Sequence, residues 1–246
     1  MRSRDVRATT AGVLFIAATA ASLLATAFLG SLLDGSDFLA GVSLHQDRVL
    51  VAAFFQLVAA FTSAAIAISL YPVLRRHTAG MALGAVGFRL IEGVFYALSA
   101  AGTLVLVALS EQLATAGTAG AFSVGTSADA VRSFRDSAGV VGVLAFYIGA
   151  TIYYLVFYRS QLIPRWLSGW GLAGTALGLV AGLLVMFRVT ETMSGFQVAL
   201  NIPIGVQEMV LAGWLILKGF SPTPPDPAIV EWHPPVTPAS AATSTS

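Results

Sequence analysis

The most informative stretch of this sequence is MALGAVGFRLIEGVFYALSAAGTLVLVAL, residues 81–109. It is apolar over far more than the roughly 20 residues that an α-helix needs to cross a bilayer, so it predicts a transmembrane helix. It nevertheless contains two charges, Arg89 and Glu92. A charge at such a depth costs ~2.5 kcal/mol or more, so these residues normally face the interior of a helix bundle and mark a site.

Five further apolar runs of sufficient length accompany this stretch, which predicts six transmembrane helices. The six segments are 11–33, 49–70, 81–109, 137–158, 166–187 and 196–217. The chain of 246 residues is 57% hydrophobic and 10% charged, and its mean hydropathy is +0.82. This composition is too apolar for a soluble domain, and no segment alternates as a barrel strand would. We therefore expect an all-α, polytopic membrane bundle.

Basic residues are distributed unevenly between the two sets of loops, and this distribution orients the helices. The loops on the side of the N-terminus hold Arg2, Arg4, Arg7, Arg75, Arg76, Arg159, Arg165 and Lys218. The opposite loops hold Arg48, Arg132, Arg135 and Arg188, together with seven acidic residues. Because positively charged loops remain in the cytoplasm, both termini are expected to be cytoplasmic and the protein to lie in the cytoplasmic (inner) cell membrane.

The chain is predicted to have three parts: a cytoplasmic N-terminus (1–10), a six-helix domain (11–220) and a tail (221–246). The tail is rich in Pro, Ser, Thr and Ala, so it is expected to be disordered and cytoplasmic. The first segment also fits a signal peptide, because arginines precede an apolar run with small residues at 25–27. That run exceeds the usual hydrophobic region of about 7–15 residues, which favours a retained helix.

Polar residues within the segments recur at intervals of three and four, so each set forms a stripe along one helix face. The stripes are Arg89, Glu92, Tyr96, Ser99 and Thr103 in the third segment, Gln197, Asn201 and Glu208 in the sixth, Tyr147, Thr151 and Tyr154 in the fourth, and Gln56 and Ser63 in the second. Four helices are therefore expected to turn polar faces inward.

Depth indicates which of these polar residues meet. At 1.5 Å per residue, Arg89, Glu92 and Glu208 all lie roughly 12–16 Å from the cytoplasmic ends of their helices. The i, i+3 spacing puts Arg89 and Glu92 on one face, so we expect an ion pair that Glu208 approaches from across the bundle. Two carboxylates beside one guanidinium leave one negative charge over, and one carboxyl is expected to hold a proton.

This cluster has two interpretations. It is either a buried network that fixes helix packing, or a pocket for a small molecule, ion or proton in which Arg89 holds an anionic group. The second makes the protein a transporter or sensor; the first makes it a structural or accessory protein with a membrane-protein partner. The further candidate site residues are Tyr96, Tyr147, Asn201 and Gln56. Interhelical hydrogen bonding alone would also explain these four.

The fifth segment carries a stripe of small residues, Gly171, Gly174, Gly178 and Gly182. Such a stripe permits close approach of a neighbouring helix. Packing within the bundle is favoured over homodimerisation, because the spacing is common in membrane helices. The expected partners are therefore membrane lipid and a small ligand, with a second copy of the chain as an alternative.

Several chemistries lack the residues that they require. The chain has no cysteine, and its three histidines, His45, His77 and His233, lie outside the segments. This leaves no ligands for a metal or haem within the helices, and we expect no cofactor. The basic residues form no patch for nucleic acid. An enzyme would have to use Arg89, Glu92, Glu208 and tyrosine hydroxyls alone, which favours a non-enzymatic role.

Three runs carry a family resemblance. They are RLIEGVFYALSA (89–100), YYLVFYRSQLIPRWLSGWG (153–171) and IPIGVQEMVLAGWLILKGF (202–220). Together they resemble the bacterial membrane family catalogued as domain of unknown function 4386. Its most specific elements here are Arg89, Glu92, Arg159, Pro164, Arg165, Gln207, Glu208, Lys218, Gly219 and Phe220. The resemblance implies a helical integral membrane protein with its first helix retained, and it implies no activity.

Overall fold

Seven helices form in residues 6–191 and 194–221, which are the residues that the computed structural model describes. They are α1 (Val6–Leu29), α2 (Phe38–Leu44), α3 (Gln46–Leu74), α4 (Ala79–Thr115), α5 (Thr118–Ser160), α6 (Arg165–Met186) and α7 (Gly195–Leu217). All except α2 are long and apolar enough to cross a membrane. The prediction of an all-α bundle of six membrane-spanning helices is confirmed. Residues 1–5, and the predicted tail beyond residue 221, lie outside the described residues.

The six long helices form a closed ring. Each packs against its neighbours in the sequence, and α7 packs against α1. The closure is tight: a Cβ added to Gly12 of α1 would lie 2.7 Å from the carbonyl oxygen of Ala212 in α7. We call the end where α1 begins and α7 ends the proximal end, and the opposite end the distal end. The proximal half of the interior is filled by the aromatic core, which is Phe15, Tyr153, Tyr154 and Phe157.

The outer surface of the ring is apolar. Large side chains such as Phe61, Leu83 and Val180 are exposed on the transmembrane helices. In water this exposure would be unfavourable, whereas in a bilayer these side chains contact lipid tails. The chain is therefore a multi-pass membrane protein in a lipid environment. Its orientation, and the membrane in which it lies, stay predictions.

The α5 helix is much longer than its apolar segment. The α5 helix has 43 residues, which corresponds to about 65 Å, against a hydrocarbon core of about 30 Å. The prediction that Arg132 and Arg135 lie in a loop is wrong, because residues 118–136 form the first turns of α5. Hydropathy detects only the apolar part of a helix, so it does not reveal a polar extension.

This extension of α5 organises the distal end. The short α2 packs against α4, and Phe38 and Val42 join Leu106 and Ala128 in a small apolar core. Arg132 holds the segment between α1 and α2: its Nη1 donates to the carbonyl oxygens of residues 33 and 35, at 3.1 and 2.8 Å. Its guanidinium also lies 4.3 Å from the ring centroid of Phe38. The distal ends of α1 and α5 are thereby tied together.

Candidate functional site

The site begins with a buried ion pair on α4. The Nη1 of Arg89 lies 2.9 Å from Oε2 of Glu92, one turn away, and the two residues are only 2% and 3% exposed. Gly149 of α5 leaves room for the arginine, since a Cβ there would lie 3.3 Å from its Cγ. The guanidinium carbon is 5.0 Å from the ring centroid of Phe146. Close packing of α5 on α4 therefore encloses the pair.

The hydrogen-bonding capacity of this pair is only partly used. Among the described residues, Nε of Arg89 has no hydrogen-bond partner, whereas Nη1 of Arg89 and Oε2 of Glu92 face each other in the ion pair. Ser63 faces Glu92 from α3. A buried polar group without a partner costs about 1–3 kcal/mol. Such groups in a native fold call for a specific reason.

Glu208 reaches the same region from α7. Its Oε1 accepts a hydrogen bond from the hydroxyl of Tyr153, at 3.4 Å. Its charge is close enough to interact with those of Arg89 and Glu92, although it forms no ion pair with any described residue. We call Arg89, Glu92, Glu208, Ser63 and Tyr153 the polar cluster. That Glu208 acts together with the ion pair stays a prediction.

Tyrosines of α5 bridge to amides of α7. The hydroxyl of Tyr147 donates to Oδ1 of Asn201, and that of Tyr154 donates to Oε1 of Gln207. Gln207 passes the connection on to α6, because its Nε2 donates to the carbonyl oxygen of Leu167 at 3.0 Å. These bonds link three helices through groups that need no ligand.

Replacing Tyr154 by Phe tests the strength of these bridges. Tyr154→Phe would leave the buried Oε1 of Gln207 without its donor, so we expect the free energy of unfolding to fall by about 1–3 kcal/mol. The measurement is reversible unfolding in mixed detergent micelles. Tyr158→Phe is the matched control, because Tyr158 lies on the same helix and is 41% exposed. Equal stability of the two variants would contradict a structural role for the bridge.

The glycine stripe of α6 faces into the ring. Gly171 lies against the ring of Tyr154, Gly178 against Tyr147, Gly182 against Leu144 and Gly174 against Ile204 of α7. At Gly178 even a methyl group would overlap the tyrosine ring. The stripe thus contacts α5 and α7 and determines where the tyrosines lie.

A distal cleft of about 240 Å³ opens on the inner side of the ring. Its lining comes from α1 and the turn after it, and from α3, α4 and α5. It consists of Ser22, Ala25, Thr26, Leu29, Gly30, Ala52, Gln56, Ala59, Tyr96, Thr103 and Arg135. The Nε2 of Gln56 donates to Oγ of Ser99, at 2.9 Å. The Nε of Arg135 donates to Oγ1 of Thr103, at 2.8 Å.

Tyr96 connects the distal cleft to the polar cluster. It lines the cleft, and it lies one helical turn beyond Glu92 on α4. The structure thus brings Gln56 and Tyr96 to the cleft, and Arg89, Glu92 and Glu208 to the cluster. Tyr147 and Asn201 are paired with one another instead. The predicted site residues therefore divide into three neighbouring groups.

Arg135 is a site residue that the sequence interpretation missed. A signal was present: Arg135, Gly139, Gly142 and Gly149 recur at helical intervals, so they share one face of α5. This face packs on α4, where a Cβ on Gly142 would come within 2.7 Å of the ring of Tyr96. Extending the periodicity of α5 backwards beyond its apolar part would have placed Arg135 beside the stripe of α4.

Comparison with known proteins gives a family. The sequence profile described as Domain of unknown function (DUF4386) matches residues 10–219. The chain belongs to this family. The match confirms the resemblance of the three runs quoted above, and it includes every residue of the polar cluster and the distal cleft. No curated protein and no solved structure matches the chain. The family description carries no activity, so the function is argued from the geometry.

Proposed function

We propose that this member of the DUF4386 family is a membrane transporter that binds a small polar ligand in the distal cleft. The observation that carries the proposal is the continuity between cleft and cluster. Tyr96 belongs to the cleft lining, and Glu92 lies one turn deeper on the same face of α4. A ligand in the cleft would therefore lie next to buried, incompletely bonded charges.

The size of the cleft limits the ligand. Pockets for drug-sized molecules measure about 300–1,000 Å³, whereas this cleft measures about 240 Å³. A compact metabolite or a hydrated ion fits this space, whereas a large substrate does not.

The distal half of the ring is open and the proximal half is filled, as the two sides of a transporter are in one state of its cycle. The distal half contains the cleft, and the proximal half contains the aromatic core. Transporters that work by alternating access bind their substrate near the middle of the membrane, with one side open and the other closed. In this chain the ion pair of Arg89 and Glu92 lies between the open and the filled half, and Tyr153 connects it to the aromatic core. Transport requires the aromatic core to separate, whereas a sensor would bind the same ligand without that step.

The carboxyl groups of the polar cluster could bind and release the proton that drives transport. Glu92 and Glu208 are the two carboxyls beside Arg89. Carboxyls within membrane segments are the usual carriers of protons in pumps and transporters. Protonation of either carboxyl would change the charge next to the ligand. We therefore propose proton coupling through this pair.

A structural or accessory role is the second candidate function. The observation that favours it is the set of bridges between α5, α6 and α7, in which Tyr147, Asn201, Tyr154 and Gln207 satisfy one another. On this hypothesis the polar cluster also serves packing alone. The structural hypothesis predicts that the distal cleft has no specific ligand.

Blocking the cleft separates the two candidates. The native chain has no cysteine, so Tyr96→Cys provides a single thiol at the inner end of the cleft. In proteoliposomes we expect this thiol to react with a membrane-impermeant methanethiosulfonate from the distal side. Ala25→Trp fills the cleft and is expected to slow the reaction at least about tenfold. Leu23→Trp is the control, because Leu23 lies on the same helix, is 66% exposed and does not line the cleft.

The same variants test ligand binding. A set of small polar metabolites is screened for those that raise the melting temperature of the wild-type protein. We expect at least one to stabilise wild type and Leu23→Trp but not Ala25→Trp, since a bound ligand stabilises only the state that binds it. An unreactive thiol, together with no stabilising compound, would refute the transporter proposal and leave the structural role.

A further inference from the structure

We infer that the ligand of the distal cleft carries a compact anionic group, a carboxylate or phosphate, and that Arg135 binds it. This inference rests on the proposed function and specifies its substrate class. It assigns the anion to Arg135 of α5, which lines the cleft, rather than to Arg89, which does not.

The charge of the lining indicates an anion. Arg135 is the charged residue among those that line the cleft, and the lining contains no carboxylate. A second guanidinium lies nearby: Nη2 of Arg48 is 3.8 Å from the position that a Cβ on Gly30 would occupy, and Gly30 lines the cleft. A cleft lined by positive charge concentrates anions and disfavours cations.

Arg135 is held in place for such a contact. Its Nε donates to Thr103 at 2.8 Å, and its Nη1 lies 2.5 Å from Oδ1 of Asp136. The side chain of Arg135 is only 15% exposed, whereas that of Asp136 is 58% exposed. Water therefore screens the carboxylate of Asp136 more strongly than the guanidinium. A fixed guanidinium fork is the protein group best suited to bind carboxylate or phosphate with two hydrogen bonds.

Neutral groups complete the recognition site. Gln56 and Tyr96 line the same cleft from α3 and α4, and both side chains have hydrogen-bond donors. Gln56 is fixed by its bond to Ser99, at 2.9 Å. The apolar lining from Ala25, Leu29, Ala52 and Ala59 suits a short apolar body attached to the anionic group. This is the chemistry of a small organic acid, and also that of the headgroup of an anionic lipid.

A pair of isosteric probes tests the charge. The full chain is reconstituted in nanodiscs of zwitterionic phosphatidylcholine, and the binding of benzoate and of neutral benzamide is measured by calorimetry. We expect benzoate to bind wild type at least about tenfold more tightly than benzamide. Arg135→Gln is expected to abolish this preference, because the charge-assisted hydrogen bonds of the guanidinium distinguish the anion from its neutral isostere. Arg188→Gln is the control, because it removes a distal charge that does not line the cleft.

A second arm identifies the source of the anion. In nanodiscs that contain phosphatidylglycerol, a lipid ligand would raise the melting temperature of wild type but not of Arg135→Gln, and it would compete with benzoate. A soluble acid as ligand predicts that benzoate binds equally in both lipid mixtures. If Arg135→Gln does not fold, the comparison of benzoate with benzamide on wild type still decides whether the cleft prefers an anion.

The failures of the two proposals are distinguishable. Equal binding of benzoate and benzamide, or binding of neither probe with no effect of phosphatidylglycerol, overturns the inference about the anion. If neutral metabolites then stabilise wild type but not Ala25→Trp, the cleft remains a binding site and only its assigned chemistry is wrong. If no metabolite does so and the Tyr96→Cys thiol is unreactive, both proposals are wrong.

Discussion

Arg89→Gln is expected to lower the free energy of unfolding by about 3–5 kcal/mol, the loss typical of breaking one side of a buried ion pair. The reason is that Glu92 would be left as a buried carboxylate without its cation, at 3% exposure. Glu92→Gln is expected to destabilise by a similar amount, because it leaves the guanidinium unpaired. The measurement is reversible unfolding of the full chain in mixed detergent micelles.

The double variant Arg89→Gln/Glu92→Gln shows whether the two charges act as a pair. Since it buries no uncompensated charge, we expect it to be more stable than either single variant, with a coupling energy of about 1–3 kcal/mol. Arg76→Gln, at an exposed position between α3 and α4, is the control and should change stability by less than about 0.5 kcal/mol. Additive losses in the double variant would mean that the ion pair does not contribute to folding.

This cycle also bears on function. If the double variant regains stability but no longer binds any compound that stabilises wild type, the charges serve the ligand. If it regains stability and binds those compounds as wild type does, the cluster is a packing device next to a separate cleft. The two interpretations that the sequence leaves open therefore give opposite results in one variant.

Gly178→Ala is expected to have the second largest effect. The added methyl group would overlap the ring of Tyr147, so either α6 moves outward or the tyrosine leaves Asn201. Overpacking of this kind typically costs about 1–3 kcal/mol, and we expect a loss in the upper part of that range. The melting temperature in detergent measures it.

Two comparisons isolate this effect. Gly169→Ala, on the same helix, places its methyl group in ordinary van der Waals contact with the ring of Tyr158, at 3.8 Å. This control should be neutral or stabilising, because alanine favours helix over glycine by about 1 kcal/mol. Adding Tyr147→Leu to Gly178→Ala should recover part of the loss by making room for the methyl group. No recovery would mean that the contact between Gly178 and Tyr147 is not the cause.

Hydropathy was sufficient to predict the architecture. Each membrane-crossing helix contains one apolar run, since lipid requires continuous apolar surface and internal backbone hydrogen bonding. The i, i+3 spacing likewise placed Arg89 and Glu92 on one face of α4, where they are 2.9 Å apart. Both predictions use only the sequence of a single helix and do not require knowledge of its neighbours.

The parts of the site that involve several helices were not predictable in the same way. Periodicity identifies the polar face of a helix but not the helix that this face meets. Tyr153 lies off the stripe of Tyr147 and Tyr154, yet it reaches Glu208 because α5 and α7 face each other across the ring. The distal cleft depends on four helices, and on a polar extension of α5 that hydropathy does not detect.

The closure of the ring by α1 and α7 also determines how the protein is made. Of the helices in the ring, α1 leaves the ribosome first and α7 last, so the inner face of α1 has only part of its partners until α7 has been made. During that interval α3 is the neighbour available to α1. The contact between Gly12 and Ala212 therefore cannot form before α7 is made, and a nascent chain stopped before α7 would present an open side to quality-control proteases in the membrane.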